Sequence, residues 1–314
     1  MYNILHKYKP YLLLLIKLII VFGAFYFIFQ KLNNNQLLSL TQLKEQLSIL
    51  FSNNIWLLLV LLLFTDANWF LEIFKWKTLA SIEKNLSFMD AFEQCLASLT
   101  TSIITPNRIG EYGAKALFFK KEKRKKIMLL NLVGNLSQLT ATVFFGTIGL
   151  IFFIGNFNVI HPKLDFQNLS ILIFVVAVLF LFRKNLQLKK IELYLKKIPK
   201  VVFIKKLGFS FLRYLVFSHQ FYLLTILFGI DLDYFTTMNL VFCMYLMASI
   251  IPSLSVFDWV IKGSIAVWLF NFVGINELTI VTITTIMWVL NFVIPALLGS
   301  IFVLNFKLVE KEWF

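Results

Sequence analysis

Residues 11–29, 55–64 and 171–182 are runs of apolar side chains too long and too numerous to be the core of a soluble domain. Hydrocarbon offers no water to backbone N–H and C=O groups, so a chain that crosses it folds as helices or as a closed barrel. These runs lack the alternation of barrel strands. The sequence therefore predicts an all-α, polytopic integral membrane protein. Composition agrees, with 59% hydrophobic residues and a mean hydropathy of +0.81.

Two more apolar stretches are interrupted in the same manner. One reads Ser102-Ile103-Ile104-Thr105-Pro106 and resumes with Glu111 and Lys115; the other reads Ser249-Ile250-Ile251-Pro252 and resumes with Asp258 and Lys262. Proline ends a helix because it lacks an N–H and its ring clashes with the preceding turn. The acid and the lysine, four residues apart, then share one face of the helix that follows. Paired interruptions in the two halves of a membrane chain point to a transporter-type binding site.

Hydropathy and loop charge place about six full spans, near residues 10–30, 55–75, 127–155, 168–182, 208–230 and 277–304, with broken segments at about 88–119 and 236–272. If each broken segment is a re-entrant hairpin returning to its own side, the basic blocks at 7–9, 75–84, 120–126, 183–206 and 307–311 share one face. The positive-inside rule makes that face cytoplasmic, with both termini on it. On this count residues 1–155 and 168–314 form two inverted repeats of one membrane domain, whose hairpins enter from opposite sides. The competing reading makes each proline a bend in a crossing or kinked helix, which puts the later basic blocks on the wrong side. The first apolar run has a basic start and no small-residue cleavage site, so it reads as a retained helix of a cytoplasmic (inner) membrane protein. The formal charge of +14 sits in blocks beside the spans. That placement suits orientation in a bilayer with anionic headgroups rather than nucleic acid.

In the first broken segment Gly110 permits close backbone approach, and a second half-helix is expected to begin near Arg108. The N–H groups of that half-helix, its dipole and the Arg108 guanidinium together make an anion site suited to phosphate. Glu111 and Lys115 either pair to fix the segment or line a pathway, and one acid does not neutralise both Arg108 and Lys115. The second break keeps Asp258 and Lys262 but has no arginine, so the two are expected to hold different groups. For Asp258 and Lys262, structural pairing and substrate contact stand as equal readings. Asp66 and Asn68, with Glu72, are expected to face the bundle interior. Arg213, His219 and Gln220 hold the corresponding place in the second half; cavity lining and inter-helix hydrogen bonding stand as equal readings for these polar residues, with Glu72 and Arg213 near enough to the span ends for headgroup contact as well.

Cys95 and Cys243 make neither a disulfide framework nor a zinc spacing, and the three histidines are far apart. No nucleotide-phosphate loop or nucleophile elbow is present, so no metal and no other cofactor is expected. Asp231-Leu232-Asp233 is formally the Asp-x-Asp pattern that holds a metal in membrane glycosyltransferases, and a lone copy in a loop carries little.

The run Thr105-Pro106-Asn107-Arg108-Ile109-Gly110-Glu111-Tyr112-Gly113 resembles the proline-x-arginine/glycine-x-glycine-glutamate signature of the lysylphosphatidylglycerol synthase transmembrane-region family, a flippase-like membrane domain. Lys75-Trp76-Lys77 is similar to the family's basic-tryptophan step, and Pro252 with Lys262-Gly263 to its late proline and basic-glycine element. The likeness extends over residues 20–310 or so. Where the family often has a glutamate-arginine pair, Asn131 to Gln138 offer amides and a serine. The resemblance implies the translocation half alone, since a chain ending at Phe314 leaves no room for the soluble aminoacyl-transferase domain. It implies no synthase activity and carries no substrate identity.

The expectation is thus a non-enzymatic lipid translocase. Arg108, Gly110, Glu111 and Lys115 would hold an anionic phospholipid or polyprenyl-phosphate headgroup, and Asp258, Lys262, Asp66 and Asn68 would line the path. Two alternatives stand beside it: a membrane glycosyl- or phospho-transferase built on Asp231 and Asp233, and a non-transporting scaffold of the cell envelope.

Overall fold

A computed structural model describes residues 55–103, 105, 108–157, 194, 196, 198–251 and 258–307, together with Leu15, Leu18, Ile19, Phe22, Tyr26 and Ser48. Most of the expected span at 10–30, all of that at 168–182, most of the 183–206 block, Pro106 and Pro252 lie outside the described residues. In chain order the helices are α1 (Ile55–Ala80), α2 (Phe88–Ser102), α3 (Ile109–Leu117), α4 (Arg124–Phe157), α5 (Lys200–Leu227), α6 (Tyr234–Ile250), α7 (Asp258–Asn271), α8 (Glu277–Trp288) and α9 (Ile294–Asn305). A 3₁₀ turn, Lys121–Lys123, leads into α4, and a π turn, Val289–Val293, joins α8 to α9. No strand occurs among the described residues.

Two continuous helical stretches, Lys121–Phe157 and Glu277–Asn305, are long and apolar enough to cross a bilayer. With 26 and 28 residues, α1 and α5 reach about 40 Å at 1.5 Å per residue. Several of their polar side chains meet one another across the α1–α5 contact.

Both apolar stretches are broken where the sequence predicts. A capping box opens α2: Ser87 Oγ accepts from the Asp90 N–H, and Asp90 returns a carboxylate oxygen to the Ser87 N–H, both at 3.0 Å. The helix stops at Ser102, the chain restarts as α3 at Ile109, and α3 folds back to pack on α2. Likewise α6 stops at Ile250, and α7 begins at Asp258 and packs on α6.

The helix contacts fall into matched sets. α2 packs on α9 as α6 packs on α4; α3 meets α4 as α7 meets α8; α1 meets α2 as α5 meets α6; and α1 meets α4 as α5 meets α8. α1 packs on α5 between the sets. The α4–α6 and α2–α9 contacts are both close enough to require glycine. A Cβ at Gly149 would stand 2.7 Å from Cys243 N, and one at Gly299 would overlap the Leu96 backbone. Association in lipid relies on such close van der Waals approach of small residues. Across the α2–α9 contact Thr100 also donates its hydroxyl to Ala296 O at 2.7 Å.

The π turn has a local cause. Pro295 has no N–H, and its ring clashes with the carbonyl four residues back, which belongs to Asn291. The ladder shifts by one residue, so that the Ile294 N–H donates to Val289 O. An apolar cluster gathers around this turn, with Leu99 and Ile103 from the first break, Trp259 from the second, and Trp288, Phe292, Val293 and Ala296. The ends of the two broken segments therefore meet.

Candidate functional site

Where they meet, the fold leaves a cavity of about 500 Å³. Among the described residues four charged side chains line it: Arg108 from the first break, Asp258 and Lys262 from the start of α7, and Arg213 from α5. Asn68, Gln138 and Asn291 add amides, while Trp69, Trp259, Trp288 and Phe292 make an aromatic wall. Trp259 stacks on Trp288 with centroids 5.4 Å apart, and Trp288 on Phe292 at 5.9 Å.

Arg108 caps α3 with φ 57°, the one positive φ at a non-glycine position among the described residues. Such a conformation costs an L-residue about 1 kcal/mol or more and is kept where surrounding structure imposes it. Thr105 bridges the break: its hydroxyl donates to Ser102 O and its oxygen accepts from the Gly110 N–H, both at 2.9 Å. A Cβ on Gly110 would lie 2.8 Å from Thr101 O, so the turn closes only around glycine. The Glu111 N–H donates to Arg108 O. Two N–H groups that the sequence offered to an anion are thus taken within the turn, which leaves the guanidinium as the group it can present to one. Arg108 has no carboxylate within ion-pair distance among the described residues; its guanidinium carbon lies 5.7 Å from the centre of the Phe292 ring.

Across the cavity Arg213 is held in a polar network. Its Nε donates to Asn68 Oδ1 at 2.9 Å, and its Nη1 lies 2.6 Å from Glu72 Oε2. Lys75 pairs with the same oxygen at 2.6 Å, so Glu72 is shared by two cations. Asn68 Nδ2 donates to Asn291 Oδ1, Asn291 Nδ2 to Gln220 Oε1, and Gln220 Nε2 to Thr65 Oγ1. This chain ties α1 and α5 to the π turn. Lys262 pairs with Asp258 at 2.6 Å, and both side chains stay about one-third exposed, at 33% and 28%.

The cavity brings together four of the eight residues singled out from sequence: Asn68, Arg108, Asp258 and Lys262. Gly110 shapes the adjoining turn. Glu111 and Lys115 are buried behind it. Lys115 Nζ lies 2.7 Å from Glu111 Oε1, donates to Asn131 Oδ1 at 2.9 Å, and sits 4.4 Å from the centre of the Trp76 ring. Asp66 is exposed on α1 and does not line the cavity. Arg213 faces the cavity and bonds across to α1, two of the readings its place on the span left open. Asn291 carried a sequence signal that went unread, a single amide in an apolar span four residues before a proline.

Asp233 caps α6 by accepting the Thr236 N–H at 2.9 Å. Bonds from the Thr236 side chain and backbone hold its carboxyl below the ordinary aspartate range. Neither Asp231 nor Asp233 lines the cavity. Among the described residues no group of three histidine, cysteine or acidic side chains is placed to hold a metal, and Cys95 and Cys243 are free and buried.

A family model described as "Lysylphosphatidylglycerol synthase TM region" matches residues 14–299. No curated protein and no solved structure matches the chain. The family match and the long apolar helices make this a membrane protein in contact with the lipid bilayer.

Proposed function

We propose that this chain, which belongs to the lysylphosphatidylglycerol synthase TM-region family, is a translocase of the cytoplasmic membrane that carries an anionic lipid headgroup through the cavity between its broken segments. One observation carries the reading: among the described residues Arg108, Arg213 and Lys262 line a single cavity with one carboxylate, Asp258, which Lys262 engages, while Arg213 shares Glu72 with Lys75, so the group keeps an excess of positive charge. Uncompensated cations in a membrane interior are costly, and an anionic headgroup supplies the missing charge. The guanidiniums suit phosphate oxygens through their planar forks, and the aromatic wall suits the apolar glycerol or prenyl end next to the phosphate.

The matched helix contacts support reading residues 1–155 and 168–314 as inverted repeats, with α2–α3 and α6–α7 as re-entrant hairpins that enter from opposite sides. Both termini then lie in the cytoplasm, and movement of one repeat against the other opens the cavity to each side in turn. No bond is made or broken, so the activity is transport rather than catalysis.

The test is lipid movement in proteoliposomes that hold fluorescent phosphatidylglycerol or phosphatidylcholine. Acidic lipid is expected to cross faster than in protein-free vesicles, and Arg108→Gln is expected to abolish the gain. No protein-dependent movement of acidic lipid, or equal movement by the variant, defeats the proposal.

A further inference from the structure

The charge balance of the cavity says more than that its ligand is an anion. Among the described residues three cations and one carboxylate line it, an excess of two positive charges. The groups bonded to these do not change that figure. Glu72, shared by Arg213 and Lys75, balances Lys75, and the buried Glu111–Lys115 pair is neutral in itself. Lys206 does not line the cavity; it donates to Ser137 Oγ at 2.8 Å and lies over the Phe203 ring, so it adds positive charge behind the wall and removes none.

We infer that the headgroup bound here is a lipid phosphomonoester carrying two negative charges, rather than a phosphodiester carrying one; the inference rests on the anionic-lipid reading above. In a medium of low dielectric an occupied site is most stable near neutrality. A monoester phosphate has a second pKa near 6 and approaches two charges above neutral pH, with three terminal oxygens as acceptors. A phosphodiester leaves one cation uncompensated and has one acceptor oxygen fewer. The donors suit the former, because Arg108, Arg213 and Lys262 reach the one cavity from three separate elements. An aminoacylated headgroup, which adds an ammonium, is the poorest fit of all.

The full chain in phosphatidylcholine nanodiscs is titrated at pH 8 with phosphatidate and with phosphatidylmethanol, a phosphodiester of single charge with the smallest cap. Phosphatidate is expected to bind about tenfold tighter or more, the worth of one further charge-assisted hydrogen bond. Arg108→Gln and Arg213→Gln each remove one charge and should bring the two lipids to similar affinity. Arg213→Lys keeps the charge and should keep the preference, and Lys84→Ala, an exposed lysine away from the cavity, should change nothing. A polyprenyl phosphate and inorganic phosphate are titrated in parallel. Tight binding of either lipid monoester supports the dianion and identifies its tail, and binding of inorganic phosphate with the same arginine dependence supports it with an aqueous source. Equal wild-type affinity for phosphatidate and phosphatidylmethanol overturns the inference and leaves the anionic-lipid reading standing. Failure of every acidic lipid to bind above the phosphatidylcholine background overturns both.

Discussion

Replacing Lys115 by methionine keeps an unbranched stem of similar reach in a site where the lysine is 1% exposed, so the packing against Trp76 changes little. What changes is charge. Glu111, 9% exposed, loses the cation 2.7 Å away, and Asn131 Oδ1 loses its donor at 2.9 Å. Asn131 Nδ2 already has no partner, so that side chain is left with no hydrogen bond among the described residues. Breaking a buried pair from one side typically costs about 3–5 kcal/mol, because a charge stays behind uncompensated. Adding Glu111→Gln removes that charge and should recover most of the loss, leaving a deficit of about 1–2 kcal/mol from the unmade hydrogen bonds. Equilibrium unfolding of the two variants in mixed micelles measures this. Because neither side chain lines the cavity, the double variant should also bind acidic lipid within about twofold of wild type, as independent sites do. A double variant as unstable as Lys115→Met alone would refute the charge argument. A loss of lipid affinity matching that of Arg108→Gln would place the pair in the binding site.

Gly149→Val forces a branched side chain against the α6 backbone and is expected to destabilise the fold by about 1–3 kcal/mol or more, read by unfolding in micelles. Asn291→Ala removes the centre of the amide chain and leaves Asn68 and Gln220 each short of a partner, so a loss of about 1–3 kcal/mol is expected in the same assay. Asp233→Asn keeps a side chain that caps α6 equally well and should leave lipid affinity unchanged in the nanodisc titration, with no response to divalent cations. A metal-dependent change with this variant would revive the transferase reading.

The two breaks were legible because proline and a repeated acid–lysine spacing are local signals, and α2 and α6 end, and α3 and α7 begin, within a few residues of them. Two of the expected spans, near 127–155 and 277–304, were legible for the same reason, since length and apolarity act segment by segment. Helix bounds were less so. α5 starts at Lys200, ahead of its apolar run, because Lys206 buries its ammonium on Ser137 rather than ending the helix in water. Which helices touch was legible only through the assumption of a repeat, and the glycines that make two of the contacts tight, Gly149 and Gly299, look like any others in an apolar span.

The site divides along the same line. Arg108 stood out because one nearby acid could not balance both it and Lys115, and the structure pairs that acid with Lys115 and leaves Arg108 in the cavity. For Arg213 the sequence left cavity lining, inter-helix bonding and headgroup contact all open, because its partners are remote in sequence. Asn68 and Glu72 lie 145 and 141 residues earlier, and no spacing rule connects them. Yet Arg213 resolves the asymmetry between the two breaks. The second lacks an arginine at its own turn, and the fold brings one from α5 to the same cavity, so the two guanidiniums reach the space from different halves of the chain. A ligand held by both would be bound by both halves at once. Binding that changes on passing from one opening to the other would then act on the α1–α5 contact directly, since Arg213 is hydrogen-bonded to Asn68 there and Asn68 to the π turn. The unread clue, Asn291 four residues before Pro295, marks the same joint: a proline that shifts the helix ladder also turns an amide toward the two helices on which the halves meet.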